Sequence, residues 1–386
     1  MLFLSNRVKR DFLETCATIR EGSLRIRTPE GDVHDFGAGE PFAEMEIHDW
    51  SVVSATAARG DIGLGETYVA GLWDSPSVKN VLMVAIRNMH EFRRYAYANF
   101  WNTLGFKLLD RVLRANSKRG ASRNIRAHYD VGNDFYELWL DPSMTYSSAL
   151  FTEGDDDLFR AQHRKYDRIL GKLSDGERIL EVGCGWGGFA ERAAGDGRFV
   201  TGLTISPSQK KYADERLGKS ADIKLLDYRN SEGTYDNIVS IEMIEAVGEH
   251  YWPTYFSTLK ARLAEGGRAM IQAITVPDSY FPIYKSGSDF IRHYTFPGGM
   301  LLSEANIREQ AKKAGLVVNE SHGFGLDYAK TCGIWAERLM EKAEDVMALG
   351  HDRAFLRTWL YYLEICSASF QVGHTNVTQV ELAHAK

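Results

Sequence analysis

Features that define exported, metal-bound or membrane-spanning proteins are scarce in this sequence. Its 386 residues include only four cysteines, and no two of them have the spacing of a zinc site. The first ten residues, MLFLSNRVKR, contain only a short apolar run, and no stretch approaches the roughly 18 apolar residues that a bilayer span requires. We therefore expect reduced thiols, no metal site, no signal peptide and a cytoplasmic location.

Charge is distributed unevenly along the chain. The formal net charge is −6, yet residues 79–126 contain eleven Lys or Arg and only two acids, which makes this segment +9 and the remainder −15. Basic segments bind nucleic acid or an anionic membrane surface, and the Met, Phe, Tyr and Trp side chains interleaved here are of the kind that insert into lipid. A solvated helix face is the alternative that the sequence leaves open.

The pattern of elements changes near residue 120. Before it, we predict strands at 23–27 and 44–47, then helices at 52–59, 61–70, 77–97 and 100–115, and a polar linker at 116–122. After it, strands at 178–182, 199–203, 223–226, 237–241, 268–274, 316–321 and 376–382 alternate with helices at 187–194, 208–217, 251–264, 327–347 and 352–370. This order predicts a smaller mixed α+β domain at residues 1–118 and an α/β domain at residues 119–386.

A glycine-rich turn follows the first strand of the α/β domain. Residues 181–188 read EVGCGWGG, so that Gly183 and Gly185 begin a G-x-G-x-G-G spacing, whereas dinucleotide-binding proteins have G-x-G-x-x-G. An acid, Glu181, precedes the turn. This pattern resembles the first motif of Rossmann-like class I methyltransferases, which have a seven-stranded, mostly parallel sheet with helices on both faces. Another nucleotide binder is the alternative, and a purely structural turn would use four glycines without need.

The end of the second strand departs from the usual methyltransferase pattern. An acid normally grips the ribose hydroxyls of the cofactor at this position. Here the strand runs into Thr204, with Gln209 close behind, and both side chains offer only neutral hydrogen bonds. The departure indicates a subfamily.

Several further blocks together resemble the cyclopropane fatty acid synthase family, which includes the mycolic acid methyltransferases. The resemblance covers about residues 125–335, and its blocks are HYDVGNDFY at 128–136, SMTYS at 143–147, EVGCGWGG at 181–188, GLT at 202–204, EMIEAVG at 242–248 and FPGG at 296–299. The combination is far more specific than any one motif. It implies an enzyme that binds S-adenosylmethionine and methylates an unsaturated acyl chain.

The resemblance also implies which residues contact the cofactor. Glu181 would orient its amino-acid end and Tyr228 would pack against adenine. The full set of implied cofactor contacts is Tyr129, Tyr146, Ser147, Glu181, Gly183, Gly185, Thr204, Gln209, Tyr228 and Ile241. Core packing is the alternative role for Tyr146 and Tyr228.

Methylation of an alkene leaves a carbocation, which a base must then deprotonate in a site that excludes water. Aromatic faces stabilise such a cation, and Tyr294, Phe296 and Tyr328 are candidates. The resemblance implies bicarbonate as the base, held by Glu245, Tyr328, the backbone of Ile274, and the positions of Ser148 and Gln272, where the family has Cys and His. Ser and Gln carry no charge, so the site could also hold water. Glu242 and Glu249 are predicted to lie on a solvated face.

The function expected from these residues is methyl transfer to the double bond of an unsaturated phospholipid, giving a cyclopropane chain. A methyl-branched or methylene product and a soluble small-molecule methyltransferase remain alternatives, as does a non-catalytic lipid-binding protein. A nucleic-acid partner is not expected, since acids and no Pro-Pro motif follow the fourth strand. We expect residues 1–118 to engage an anionic membrane at its inner face as a peripheral protein, and the family suggests a homodimer.

Overall fold

The computed structural model describes residues 2–92 and 131–385, and the side chains from residue 8 onward. The described residues form two compact units. The first contains those of Met1–Val131, Gly287–Pro297 and Ala336–His374, and the second contains Gly132–Ser286, Gly298–Trp335 and the described part of Thr375–Lys386. The predicted boundary between residues 118 and 119, the linker and the helix at 100–115 lie outside the described residues.

Eleven strands lie in the described residues. They are β1 Gly22–Arg27, β2 Val33–Ala38, β3 Phe42–Ile47, β4 Trp73–Asp74, β5 Arg178–Val182, β6 Phe199–Thr204, β7 Ala221–Leu225, β8 Tyr235–Ile241, β9 Leu263–Thr275, β10 Leu316–Gly323 and β11 Asn376–His384.

Fifteen α-helices lie in the same part of the chain. They are α1 Leu2–Cys16, α2 Ser51–Arg59, α3 Asp61–Val69, α4 Val78–Arg87, α5 Asn133–Glu137, α6 Leu158–Leu170, α7 Gly188–Gly195, α8 Pro207–Leu217, α9 Ile244–Val247, α10 Trp252–Arg262, α11 Phe281–Ser286, α12 Glu304–Lys313, α13 Gly325–Glu341, α14 Ala343–Ala348 and α15 Arg353–Gln371. No helix among the described residues is both long enough and apolar enough to cross a bilayer.

A four-stranded sheet organises the first unit. Its strand order is β2-β1-β3-β4, with β1 antiparallel to β2 and parallel to β3. Alternate residues of β1 and β3 are buried, including Leu24, Ile26, Met45 and Ile47, as expected for a sheet that packs on one face. This sheet is the smaller α+β unit that the sequence predicted.

The second unit is built on a seven-stranded sheet in the order β10-β11-β9-β8-β5-β6-β7. Strands β5 to β9 pair in parallel, and β11 runs antiparallel between β9 and β10. The chain reverses its direction of progress across the sheet between β5 and β8. Open α/β sheets bind ligands outside the carboxyl ends of the strands at such a reversal.

Local sequence explains where the elements of the second unit begin and end. In strand β5 the neighbouring residues Ile179 and Leu180 are fully buried, as is Val182, as expected for a parallel sheet that is covered on both faces. Helix α8 begins where Ser206 Oγ accepts a hydrogen bond from Gln209 N at 3.3 Å, with Pro207 in its first turn. These predicted strands and helices are confirmed to within a few residues.

Two predicted helices are longer than the helices observed. The helix predicted at 77–97 ends at Arg87, because Asn88 leaves the helical conformation and turns its amide onto Glu21 O and Val84 O. The helix predicted at 327–347 is divided at Lys342, which has non-helical dihedral angles and separates α13 from α14. Strand β2 and helices α1, α6 and α12 were not predicted.

Candidate active site

The glycine-rich turn lies between β5 and α7, at the carboxyl edge of the sheet. Gly183, Gly185 and Gly187 all have positive φ angles of 86°, 52° and 88°, which L-residues rarely adopt. A Cβ at Gly183 would meet Met243 Cγ at 2.8 Å, whereas a Cβ at Gly185 would meet no atom of the described residues within 4 Å. The turn therefore leaves open space above Gly185, where a ligand can approach the backbone.

Glu181 lies at the end of β5 beneath this turn and is buried. Its Oε2 has no hydrogen-bond partner among the described residues. Burial raises the pKa of Glu181 to about 8, and the ammonium of Lys165 opposes that shift. A buried acceptor without a partner suits the amino-acid end of S-adenosylmethionine, whose ammonium group donates hydrogen bonds.

The remaining predicted cofactor residues line the neighbouring strand ends. Thr204, the last residue of β6, donates its hydroxyl to Gln209 Oε1 at 2.9 Å. Tyr228 follows β7, and its ring makes an edge contact with Tyr255 at 5.8 Å between centroids. Ile241 ends β8. The sheet thus brings Gly183, Thr204, Tyr228 and Ile241 to one edge, the arrangement expected for a nucleoside that spans several strands.

Tyr146 and Ser147 precede the sheet and pack against it in different ways. The Tyr146 ring lies 5.4 Å from Trp335 and 5.6 Å from Trp139, within an aromatic cluster. Ser147 Oγ accepts a hydrogen bond from the fully buried Lys165, and Ser147 O accepts one from Gln162 Nε2 at 2.8 Å. Tyr129 lies outside the described residues.

The predicted anion-binding residues converge on a carboxylate of the chain itself. Glu242 Oε1 accepts hydrogen bonds from Ser148 N at 2.9 Å and from Gln272 Nε2 at 2.7 Å. Glu242 Oε2 accepts one from the Tyr328 hydroxyl at 2.5 Å. The prediction of a solvated face for Glu242 is wrong, because the residue turns its carboxylate onto these buried donors. Ser148 Oγ instead donates to Ala149 O.

Glu245, one turn further on, is a second enclosed carboxyl group. Its Oε1 accepts a hydrogen bond from Ile274 N at 2.6 Å, and its Oε2 is buried with no partner among the described residues. Burial raises the pKa of Glu245 to about 8, and the charge of Glu242 acts in the same direction. Both effects favour the protonated form of Glu245, while Glu242 beside it has the hydrogen-bond donors that an ionised carboxylate needs.

Glu242 is surrounded by groups with opposing effects on its charge. Burial has the largest effect and raises the pKa of Glu242 above its usual value, although Lys165 and the hydrogen bonds from Tyr328, Ser148 and Gln272 oppose this shift. Burial lowers the pKa of Lys165 to about 7, and the nearby carboxylates oppose that shift. Neither Glu242 nor Lys165 was predicted as a site residue. The available signal was the position of Glu242 directly after β8, at the strand end where the sheet reverses.

The candidate aromatic residues do not all lie in the same unit. Tyr328 lies in the second unit and donates to Glu242. Tyr294 and Phe296 belong to the first unit, where the Tyr294 hydroxyl donates to Glu66 and the Tyr294 ring packs 4.9 Å from Phe290. Tyr328 thus lies beside Glu242 within the second unit.

The sheet order, the open glycine turn and the strand-end residues define the class. The chain is an S-adenosylmethionine-dependent methyltransferase with the class I fold. The family model described as mycolic acid cyclopropane synthetase matches residues 116–380. The chain therefore belongs to this family of enzymes, which methylate or cyclopropanate lipids.

Two relatives and one solved structure illustrate the similarity. The tuberculostearic acid methyltransferase UfaA1 of Mycobacterium tuberculosis is 35% identical over 92% of this chain and 87% of its own. The cyclopropane-fatty-acyl-phospholipid synthase of Escherichia coli is 32% identical over 89% of this chain and 88% of its own. The crystal structure of mycolic acid cyclopropane synthase CmaA1 complexed with SAH and CTAB is 31% identical, with a TM-score of 0.62 over 67% of this chain and 97% of that one.

Proposed function

We propose that this chain transfers the methyl group of S-adenosylmethionine to the double bond of an unsaturated phospholipid acyl chain, giving a cyclopropane chain. The observation that carries the proposal is the Glu242 carboxylate, which Ser148, Gln272 and Tyr328 hold at the strand edge that also carries the glycine turn. A base at this position can deprotonate a cation formed on a chain beside the cofactor. The relative from Escherichia coli is named for cyclopropane formation on fatty acyl phospholipids.

The chemistry requires an electrophile, a protected cation and a base. S-adenosylmethionine supplies the methyl group, to which the alkene π electrons bond as the carbon–sulfur bond breaks, leaving a thioether and a carbocation on the acyl chain. Residues of this chain then keep water from the cation. Ser148 and Gln272 are fully buried, and Tyr328 is nearly so. If water is excluded at these residues, the nearest base to the cation is the Glu242 carboxylate.

A non-cyclising product is the second candidate. Ser148 and Gln272 stand at the positions where the family has Cys and His. Their side chains are neutral hydrogen-bond donors and supply neither a thiol nor a charge. Loss of a proton from the transferred methyl closes a ring, whereas loss from a neighbouring chain carbon leaves a methyl-branched alkene. A hydride shift that moves the cation to the methyl-bearing carbon, followed by proton loss from the methyl, leaves a methylene chain. The geometry of the base relative to these two carbons decides between the products.

We also propose that the enzyme reaches its substrate as a peripheral protein on an anionic membrane. The support is the composition of residues 79–126, which combine a charge of +9 with apolar and aromatic side chains. Each basic residue near an anionic surface contributes on the order of 1 kcal/mol, so several together suffice for reversible binding.

One experiment tests the reaction and the product together. The protein is incubated with isotopically labelled S-adenosylmethionine and vesicles of a monounsaturated phospholipid, with vesicles of the matching saturated phospholipid as the control. We expect label in the unsaturated acyl chains only, with a mass gain of one CH2 and no alkene left to oxidative cleavage. A labelled chain that still contains an alkene identifies the non-cyclising product. No label in either lipid would contradict the proposal.

A further inference from the structure

Glu242 occupies a backbone conformation that its residue type disfavours. It follows β8 directly, and its φ angle is +50°, in the left-handed region that glycine adopts most readily. Such strain persists only where surrounding contacts hold it, and it concentrates at functional sites. The conformation directs the carboxylate to groups from three distant parts of the chain, Ser148, Gln272 and Tyr328.

Few unpaired hydrogen-bond donors remain among these residues for a separate anion to bind. The family resemblance assigns the Ser148, Gln272 and Tyr328 positions to bicarbonate, yet each has a donor that is already paired with Glu242. The fourth implied donor, Ile274 N, is paired with Glu245. Gln272 is held in orientation because its Oε1 accepts from Gln379 Nε2 at 3.0 Å. The residues present therefore do not fit a bound bicarbonate.

We propose that Glu242 is the base of the reaction, a carboxylate tethered to the chain in the position where the family resemblance predicts bicarbonate. This inference rests on the proposed function, because it concerns deprotonation of the cation formed on the acyl chain. An ionised carboxylate has about four acceptor positions, and three are occupied by the observed donors. Among the described residues, no donor occupies the remaining position on Oε2, which is left to receive a proton.

The proton transfer balances without a further reactant. A lone pair of Glu242 Oε2 takes the proton, and the electron pair of the broken C–H bond either closes the cyclopropane ring or forms a new double bond. The carbocation is neutralised and Glu242 becomes a neutral acid. It must release this proton to solvent before the next turnover. The ammonium form of Lys165, which is buried nearby, lowers the pKa of Glu242 and so assists the return to the carboxylate.

Two substitutions at Glu242 and a matched control test the inference. Glu242→Gln keeps the shape of the side chain and removes the base. Glu242→Gly suits the positive φ and removes the carboxylate, leaving Ser148 N, Gln272 Nε2 and the Tyr328 hydroxyl available to an added anion. Glu249→Gln is the control, since Glu249 is an acid nearby in sequence that pairs with Lys285 at the surface. Turnover is measured with labelled S-adenosylmethionine and unsaturated phospholipid vesicles, in buffer purged of carbon dioxide and with added sodium bicarbonate.

We expect wild-type turnover to be the same in purged and bicarbonate buffers. Glu242→Gln should lose about 100-fold or more of its turnover, in line with the loss of a general base, while its binding of S-adenosylhomocysteine and its melting temperature stay near wild type. Glu242→Gly should be equally slow in purged buffer and should recover at least about tenfold when bicarbonate is added. The control should behave as wild type does.

Two results would overturn the inference while leaving the proposed function intact. One is a wild-type enzyme that loses turnover in purged buffer and regains it with bicarbonate, and the other is a Glu242→Gln variant with near wild-type turnover. If Glu242→Gln does not fold, the response of the wild type and of Glu242→Gly to bicarbonate still shows whether Glu242 or bicarbonate is the base. A wild type that binds S-adenosylhomocysteine but methylates no phospholipid would remove the proposed function and this inference together.

Discussion

Glu245 Oε1 accepts a hydrogen bond from the backbone N–H of Ile274 at 2.6 Å, and this contact joins the start of α9 to the end of β9. The same carboxyl group lies beside Glu242, so the site encloses two acidic residues, Glu242 and Glu245, that are close together in the sequence. Like charges at close range in a poorly solvated site cannot both ionise without cost. Three donors stabilise the ionised form of Glu242 and one that of Glu245, so Glu242 is the acid of the two that is better suited to ionise.

Glu245→Gln should change how stability depends on pH. Burial raises the pKa of Glu245 to about 8 from the value of 4.5 expected in the unfolded chain. A group with a raised pKa stabilises the fold fully below 4.5, and that contribution is lost as the pH rises to about 8. Because Gln does not titrate, we expect the variant to gain stability relative to wild type across this window, by up to about 1.4 kcal/mol per pH unit.

Urea unfolding of both proteins at pH 5, 6, 7 and 8 measures this difference. Glu249→Gln is again the matched control, since Glu249 pairs with Lys285 at the surface and should give a nearly constant difference across the series. A Glu245→Gln variant whose stability runs parallel to wild type would show that Glu245 is ionised in the folded protein.

Gly185→Ala should weaken binding of S-adenosylmethionine. The φ angle of Gly185 is +52°, so an L-residue costs roughly 1–2 kcal/mol there. The added methyl group would meet no protein atom within 4 Å and would project into the space left for the ligand. We expect about tenfold weaker binding or more by calorimetry, which corresponds to roughly 1.4 kcal/mol.

Gly197→Ala separates backbone strain from crowding of the ligand. Gly197 has a φ angle of +76°, and a Cβ added there would likewise meet no protein atom within 4 Å, but it lies in the exposed connection between α7 and β6. Both variants should lose similar stability, and only Gly185→Ala should lose affinity. Equal affinities for the two variants would place the cofactor elsewhere.

The parts of the molecule that depend on local sequence could be predicted, and the parts that depend on distant contacts could not. Strand β5 has the predicted bounds because Ile179, Leu180 and Val182 are apolar residues close together in sequence and Gly183 follows them. The role of Glu242 escaped prediction because its partners lie 94, 30 and 86 residues away in sequence. Lys165 was also missed, since lysine is almost always exposed and nothing local shows that it is fully buried.

The same distinction between local sequence and distant contacts applies to individual strands and helices. Strand β2 is short and mostly exposed, with Gly37 inside it, and it forms because β1 offers an antiparallel partner. Helix α6 carries many charged residues around a narrow apolar stripe, which favours exposure over burial when only composition is considered. Contacts with other parts of the fold therefore determine both β2 and α6.

Lys165→Met should move the pH profile of turnover. The ammonium of Lys165 is the strongest of the influences that lower the pKa of Glu242, against the raising effect of burial. Without it, the pKa of Glu242 should rise, and the carboxylate form needed to accept a proton should persist only at higher pH. We therefore expect the acid limb of the kcat profile to shift toward higher pH, with some loss of stability because the buried carboxylates lose the cation that offsets their charge.

Lys172→Met provides the comparison for this variant. Lys172 follows the same helix and pairs with Glu320 at 2.5 Å on the surface. Its removal changes the net charge equally but should leave the pH profile in place. An acid limb that stays unchanged in Lys165→Met would show that Lys165 does not control the charge of Glu242.

The last prediction concerns membrane binding. Arg93 and Arg94 lie in the basic segment, outside the described residues, between Phe92 and Tyr95. Reversal of both to Glu removes two charges that favour an anionic surface and adds two that oppose it, at about 1 kcal/mol each. Co-sedimentation with vesicles containing anionic phospholipid should fall at least about tenfold, and turnover on those vesicles should fall with it.

A charge reversal of equal size in another part of the chain distinguishes the effect of the basic segment from the effect of the total net charge. Lys312 and Lys313 are exposed at the end of α12, and their change to Glu alters the total charge by the same amount. We expect that variant to bind vesicles nearly as wild type does, because an exposed charge acts only within about 10 Å at 0.1 M salt. Equal losses in the two variants would mean that overall charge governs membrane binding. Unchanged binding of the Arg93→Glu/Arg94→Glu protein at low salt would contradict a docking role for these two residues.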